Sequence, residues 1–161
     1  MYNLQWGFLA GIIVRLLLLI NIISQPYSQK YKGFSLLNDL LLMGFAYGII
    51  DGLFLNVMPV AAISKIFEQT YLVNNIMGLI LIGFLSLLSS MLITLFYHLG
   101  YTEFRNKSVF LVLLGNSIIT LAFIISKNPF GAVVSHTIMH IAAVLRGPDT
   151  TIQLPPHYKT L

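Results

Sequence analysis

Cysteine is absent from this 161-residue chain, which excludes disulfides, thiolate metal sites and cysteine nucleophiles. Charge is nearly as scarce: Asp, Glu, Lys and Arg make up 9% of the residues, against about 25% in an ordinary soluble domain. The nine Lys and Arg outnumber the five Asp and Glu, but they are scattered through short connectors. There is no basic run and no basic stretch interleaved with aromatics, so nucleic acid is excluded as a partner. The first apolar stretch has no basic segment before it and no small-residue cleavage site after it, so it reads as a membrane span and not as a removed signal. Neither end carries a lipidation motif.

What fills the chain instead is apolar. Hydrophobic residues make up 57% of it and mean hydropathy is +0.86, more apolar surface than a water-soluble fold of this length can bury. A membrane-crossing helix needs about 20 mostly apolar residues, and five stretches meet or approach that length. They are 4–23, 36–58, 72–97, 109–125 and 129–146. Their unbroken apolar runs lack the alternation of a β-barrel, and lipid offers no partner to free backbone groups. The expected fold is therefore all-α: one polytopic transmembrane helical bundle over 1–161 with about five spans and a proline-containing tail at 147–161. The last span is the shortest, yet its ends are well marked. Asn128 can cap it, Pro129 suits the first helical position, and Gly147-Pro148 stops it.

Five spans put the termini on opposite sides. One side collects Lys30, Lys32, Arg105, Lys107, Arg146 and Lys159, and the other only Lys65 and Lys127. The positive side should face the cytoplasm, which predicts a cell-membrane protein with its N-terminus outside and its C-terminus inside. Membrane lipids are then its immediate partners. Gly44, Gly48 and Gly52 recur every four residues and bare one helix face for close approach by another helix. Gly7 with Gly11, and Ser86 with Ser90, repeat the spacing. Packing within the chain is the plain reading of these faces, and a homo-oligomer is the other.

Ionisable groups in hydrocarbon cost about 2.5 to 3.5 kcal/mol each on insertion scales, so those that persist are paired or functional. With a rise of about 1.5 Å per residue, Arg15, Asp51, His136 and His140 fall within a slab about 10 Å thick around mid-membrane. His136 and His140 are four apart and share one helical face, continued by the small Ala132, Ala143 and Gly147. Val134, Ile138, Ile141 and Leu145 cover the opposite side and suit lipid. Two histidines at this spacing and a carboxylate from another helix form a ligand set for zinc or non-haem iron with positions left open. His136, His140 and Asp51 are the predicted ligands. Arg15 would neutralise a carboxylate or an anionic headgroup and, with Asp51, is the candidate catalytic residue. The plainer alternative is that these groups only hydrogen-bond across helices, with Arg15 paired to Asp51. The HxxxH pattern also lacks the internal glutamate of HExxH that would serve as a general base. His98, by helix rise, lies about 15 Å or more from His140, too far to share a metal unless the helix end tilts inward. An interfacial aromatic belt accounts for Tyr97, Tyr101 and Phe104. Asn116 and Ser117 are candidates for further hydrogen bonds to the cluster.

The stretch NPFGAVVSHTIMHIAAVLRGPDTTIQLPPHY at 128–158, with YHLGYTEFR at 97–105, resembles a group of bacterial polytopic membrane proteins of no established activity. The resemblance covers about a quarter of the chain and implies no mechanism. An intramembrane Asp, a separate His and an HxxxH in the last span also resemble, in arrangement, the alkaline ceramidase and adiponectin-receptor-like membrane hydrolases, which bind zinc through three histidines. That resemblance implies His136 and His140 as ligands, Asp51 as a ligand or water-orienting group, and His98 as the third histidine, although those hydrolases have seven spans. Two functions are therefore expected. One is a metal-dependent intramembrane hydrolase of a lipid-like substrate; the other is a non-enzymatic assembly or interaction subunit, or a small oligomeric transporter.

Overall fold

The computed structural model describes residues 5, 9, 11, 12 and 32–146, the side chain of Glu103 excepted. These residues form helices and turns, with no strand among them. The candidate site residue Arg15, most of the predicted first span and the tail beyond Arg146 lie outside the described residues.

Helix α1 runs without interruption over Gly33–Phe67, 35 residues, where the sequence predicts a span at 36–58 and a connector from 59. The connector is corrected by Pro59. Proline removes one backbone donor and ordinarily breaks a helix. Here the carbonyl left without that donor, on Leu55, accepts a hydrogen bond from Ser90 Oγ at 2.6 Å, so the helix passes through the proline and ends eight residues later. Helix α1 is also not uniformly α. It loosens to π geometry at Leu40–Ala46 and Gly52–Val57, on either side of the α turn Tyr47–Asp51.

A short 3-10 turn, Tyr71–Asn74, leads into helix α2, Ile76–Leu99. Its start is fixed by Asn75, whose side chain accepts from Gly78 N at 2.7 Å, the expected N-cap bond. Helix α3 spans Ser108–Ser126, close to the predicted 109–125. It ends at Lys127, whose φ of 52° turns the chain in the left-handed region. Asn128 then caps helix α4, Pro129–Arg146, by accepting from Phe130 N at 3.0 Å. That tight turn and those helix bounds are the ones read from the sequence.

Neighbouring helices are antiparallel. Leu55 and Asp51 on α1 meet Ser90 and Tyr97 on α2, and Ser90 meets Asn116 and Thr120 on α3. Along α1, Gly44, Gly48 and Gly52 face Ile141, Thr137 and Val133 of α4 in turn. A methyl group at Gly52 would lie 2.7 Å from Val133 Cα, and one at Gly48 would strike the Thr137 backbone. The glycine stripe thus lets α1 and α4 touch backbone to backbone within one chain. It also moves Ile141, expected to face lipid, against Gly44. Gly11 O also accepts from Ser135 Oγ of α4 at 3.1 Å.

The surface and the interior reverse the arrangement of a water-soluble protein. Phe34, Ile80, Phe84, Phe96, Phe110, Leu111, Leu114 and Ile125 are exposed, whereas Asp51, Asn56, Ser90, Asn116, Thr120, His136 and His140 are buried. Helices α1, α2 and α3 are long and apolar enough to cross a membrane. Helix α4 is not among them, because Ser135, His136, Thr137 and His140 lower its hydropathy over 18 residues. The small apolar core, Val60, Ile119, Phe123 and Ala132, sits toward the α3–α4 turn.

Candidate metal centre

The site is built where the α turn of α1 meets the middle of α4. Because Gly48 and Gly52 bring the two backbones together, Asp51, between them in sequence, is delivered against the histidine face of α4. His136 and His140 lie one turn apart on that face, as their spacing requires. All three side chains are buried, with exposures of 3% for Asp51, 4% for His136 and 7% for His140. One potential ligand atom from each lies within 4.8 Å of the other two. His140 Nε2 is 3.0 Å from Asp51 Oδ2.

One of those separations is already that of two ligands on a single ion. Zinc held by nitrogen and oxygen at about 2.0 to 2.2 Å in tetrahedral geometry puts its ligand atoms about 3.3 Å apart. The His140–Asp51 pair already stands near that spacing, and rotamer adjustment of His136 would bring in the third atom. Two imidazoles and one carboxylate leave at least one position for water or substrate, the arrangement of a catalytic site and not of a closed structural one.

Tyr97 completes the surroundings of the carboxylate, and sequence reasoning missed it. Its hydroxyl donates to Asp51 Oδ1 at 3.2 Å, so it points inward instead of joining an interfacial belt. Its ring is set by edge contacts to Phe54, His98 and Tyr101, with centroids 6.2, 5.3 and 5.6 Å away. No sequence signal marks it, since an aromatic at a helix end before a charged connector is what any span shows. His98 is buried, and its Nδ1 engages Thr94 O at 2.8 Å. It lies outside the group of three converging ligand atoms, so the third-histidine role that the hydrolase resemblance implies is not met there.

A second polar group lies one to two turns further along α1. Asn56 Nδ2 donates to Asn116 Oδ1 at 2.9 Å and to Thr120 Oγ1 at 2.7 Å. Asn116 Nδ2 donates to Ser90 Oγ at 2.9 Å, and Ser90 Oγ lies 2.9 Å from Thr120 Oγ1. This network ties α1, α2 and α3 together. Asn116 therefore belongs to it and not to the histidine cluster, while Ser117 bonds back to Leu113 O in its own helix at 2.7 Å. A recognisable signal existed in the run Ser86, Ser90, Thr94 and His98, all buried at four-residue spacing on α2. Asp51, His136 and His140 are thus brought together as the sequence predicts, and Arg15 lies outside the described residues.

A scan against protein-family models and searches of curated proteins and of solved structures found no match to this chain.

Proposed function

We propose that the protein is a multi-span membrane enzyme whose centre is a divalent metal ion held by Asp51, His136 and His140, and that it hydrolyses a lipid-like substrate dissolved in the membrane. The observation that carries this reading is the convergence of three buried ligand atoms within 4.8 Å, from two helices forced together by glycines. A zinc ion in such a setting lowers the pKa of its bound water to about 7 and polarises a carbonyl or phosphoryl oxygen. The residues would divide the work simply. His136 and His140 bind the ion as neutral imidazoles, and Asp51 supplies the negative charge that a dication needs in a dry interior. Arg15 is the proposed partner of an anionic headgroup. Helix α4 and the N-terminal segment would complete a five-span bundle. By the positive-inside rule, Lys32, Arg105, Lys107 and Arg146 mark the cytoplasmic face and Lys65 and Lys127 the outer one.

One observation favours a second reading. Both Asp51 oxygens already have partners, His140 and Tyr97, so the cluster also satisfies the demands of a purely structural clasp between helices. In that case the protein is a non-enzymatic assembly subunit or an oligomeric transporter. Metal content of protein purified without a polyhistidine tag separates the two. Near-stoichiometric zinc or iron, lost in His136→Ala and in His140→Ala while helix content is retained, supports the enzyme. Metal-free protein that also fails to take up added zinc refutes it.

A further inference from the structure

We infer that Tyr97 is the positioning residue of this centre: it holds Asp51 Oδ1, so that the carboxylate meets the ion through Oδ2 alone. The inference rests on the metal-centre reading above and adds to it the coordination mode and the helix that controls it.

A carboxylate on a flexible side chain can bind a cation through one oxygen or both. Asp51 is not in that position. Its Oδ1 takes the phenol proton of Tyr97 at 3.2 Å, and its Oδ2 faces His140 Nε2 at 3.0 Å. The two contacts respond differently to an arriving ion. His140 must turn a lone pair to the metal, so a bond in which Nε2 donates to Asp51 is replaced by two bonds to the same ion. Tyr97 has no such conflict, because a phenol hydroxyl is a donor and its proton already points at the oxygen the metal does not need. The Tyr97 contact therefore survives loading while the His140 contact is exchanged, and Oδ2 is the atom released.

Tyr97 is itself built into place. The edge contacts to Phe54 and His98 lock its ring between α1 and α2, and Phe54 stands three residues beyond Asp51 on the same helix. The ligands come from α1 and α4, but the group that orients one of them comes from α2. Metal affinity consequently depends on how α2 docks against α1. Groups of this kind, one bond removed from the ion, change metal affinity by about 10- to 100-fold when lost.

The test is a Co2+ titration of tag-free protein in detergent, in which the visible bands report coordination geometry. Wild type should bind one equivalent, and Asp51→Asn should abolish the bands. Tyr97→Phe should still bind one equivalent, with affinity about 10- to 100-fold weaker and with altered bands as the freed carboxylate turns both oxygens to the ion. Identical affinity and bands in Tyr97→Phe, with Asp51→Asn inactive in binding, would overturn the positioning role and leave the metal centre standing. Absence of binding by wild type would overturn both. A purely structural Tyr97 would lower the unfolding temperature of the metal-free protein without moving the bands. Should Tyr97→Phe not fold, wild type decides: the infrared carboxylate bands that zinc shifts must have the spacing of one-oxygen coordination, and the spacing of two-oxygen coordination refutes the role.

Discussion

Asp51 and Gly48 depend on each other, since a buried carboxylate is useful only where another backbone comes close enough to meet it. Gly48→Val places methyl groups against the Thr137 backbone, where neither helix has a flexible atom to yield. Overpacking of this kind costs about 1 to 3 kcal/mol. It should lower the thermal unfolding midpoint, followed by circular dichroism in detergent, and should abolish metal uptake even in the protein that remains helical. Gly115→Ala is the control: nothing lies within 4 Å of a methyl group there, and the midpoint should not fall. A collapse of both variants would show that any side chain in place of these glycines is destabilising, whether or not it meets α4. At the same scale, Asn56 and Thr120 show why the chain keeps polar side chains inside. Each hydrogen bond across helices in a membrane is worth only about 0.6 kcal/mol, so the network fixes which helices meet and in what register more than it adds stability.

Helix α1 is the element on which the architecture turns, and its irregularities have a local cause. Pro59 deprives Leu55 O of its helical donor, and Ser90 replaces it from α2. Ser90→Ala should therefore destabilise the protein by up to about 1.7 kcal/mol, near the upper limit for such bonds. In a Pro59→Ala background, where the backbone donor is restored, the same substitution should cost much less. A double-mutant cycle on unfolding free energy measures the difference, and additivity would mean that Ser90 acts through Thr120 or Asn116 and not through the proline break. The π segments at Leu40–Ala46 and Gly52–Val57 enclose the turn that carries Asp51. Such widened turns are found disproportionately at functional sites, where they re-aim one side chain without ending the helix.

At the scale of the whole molecule, the apolar exterior and the polar seam inside that the described residues form suit a solvent of lipid, with the polar groups hidden from it. The absence of cysteine makes its orientation directly measurable. Single cysteines introduced at Lys65 and Lys127 should react with a membrane-impermeant maleimide on intact cells. One at Lys107 should react only after permeabilisation. The reverse pattern would invert the proposed topology, and labelling of Lys65 and Lys127 from opposite sides would break the bundle as described, in which α1 and α3 end on the same face.

Composition and hydropathy were enough to establish an all-helical chain suited to a membrane, because apolar content and the need to satisfy backbone groups in lipid admit few other solutions. Local rules also reached the α3–α4 turn and the bounds of α4, where Asn128 and Pro129 act within a few residues of themselves. The pairing of His136 with His140 was legible for the same reason, being a property of one helix. Depth along each span put Asp51 level with them, but three-dimensional packing alone showed that it meets them, that Tyr97 turns inward, and that α1 continues through Pro59. Each depends on an atom from a helix distant in sequence, Thr137 for the first, Asp51 for the second and Ser90 for the third, and no periodicity along one strand of sequence encodes the register between two helices.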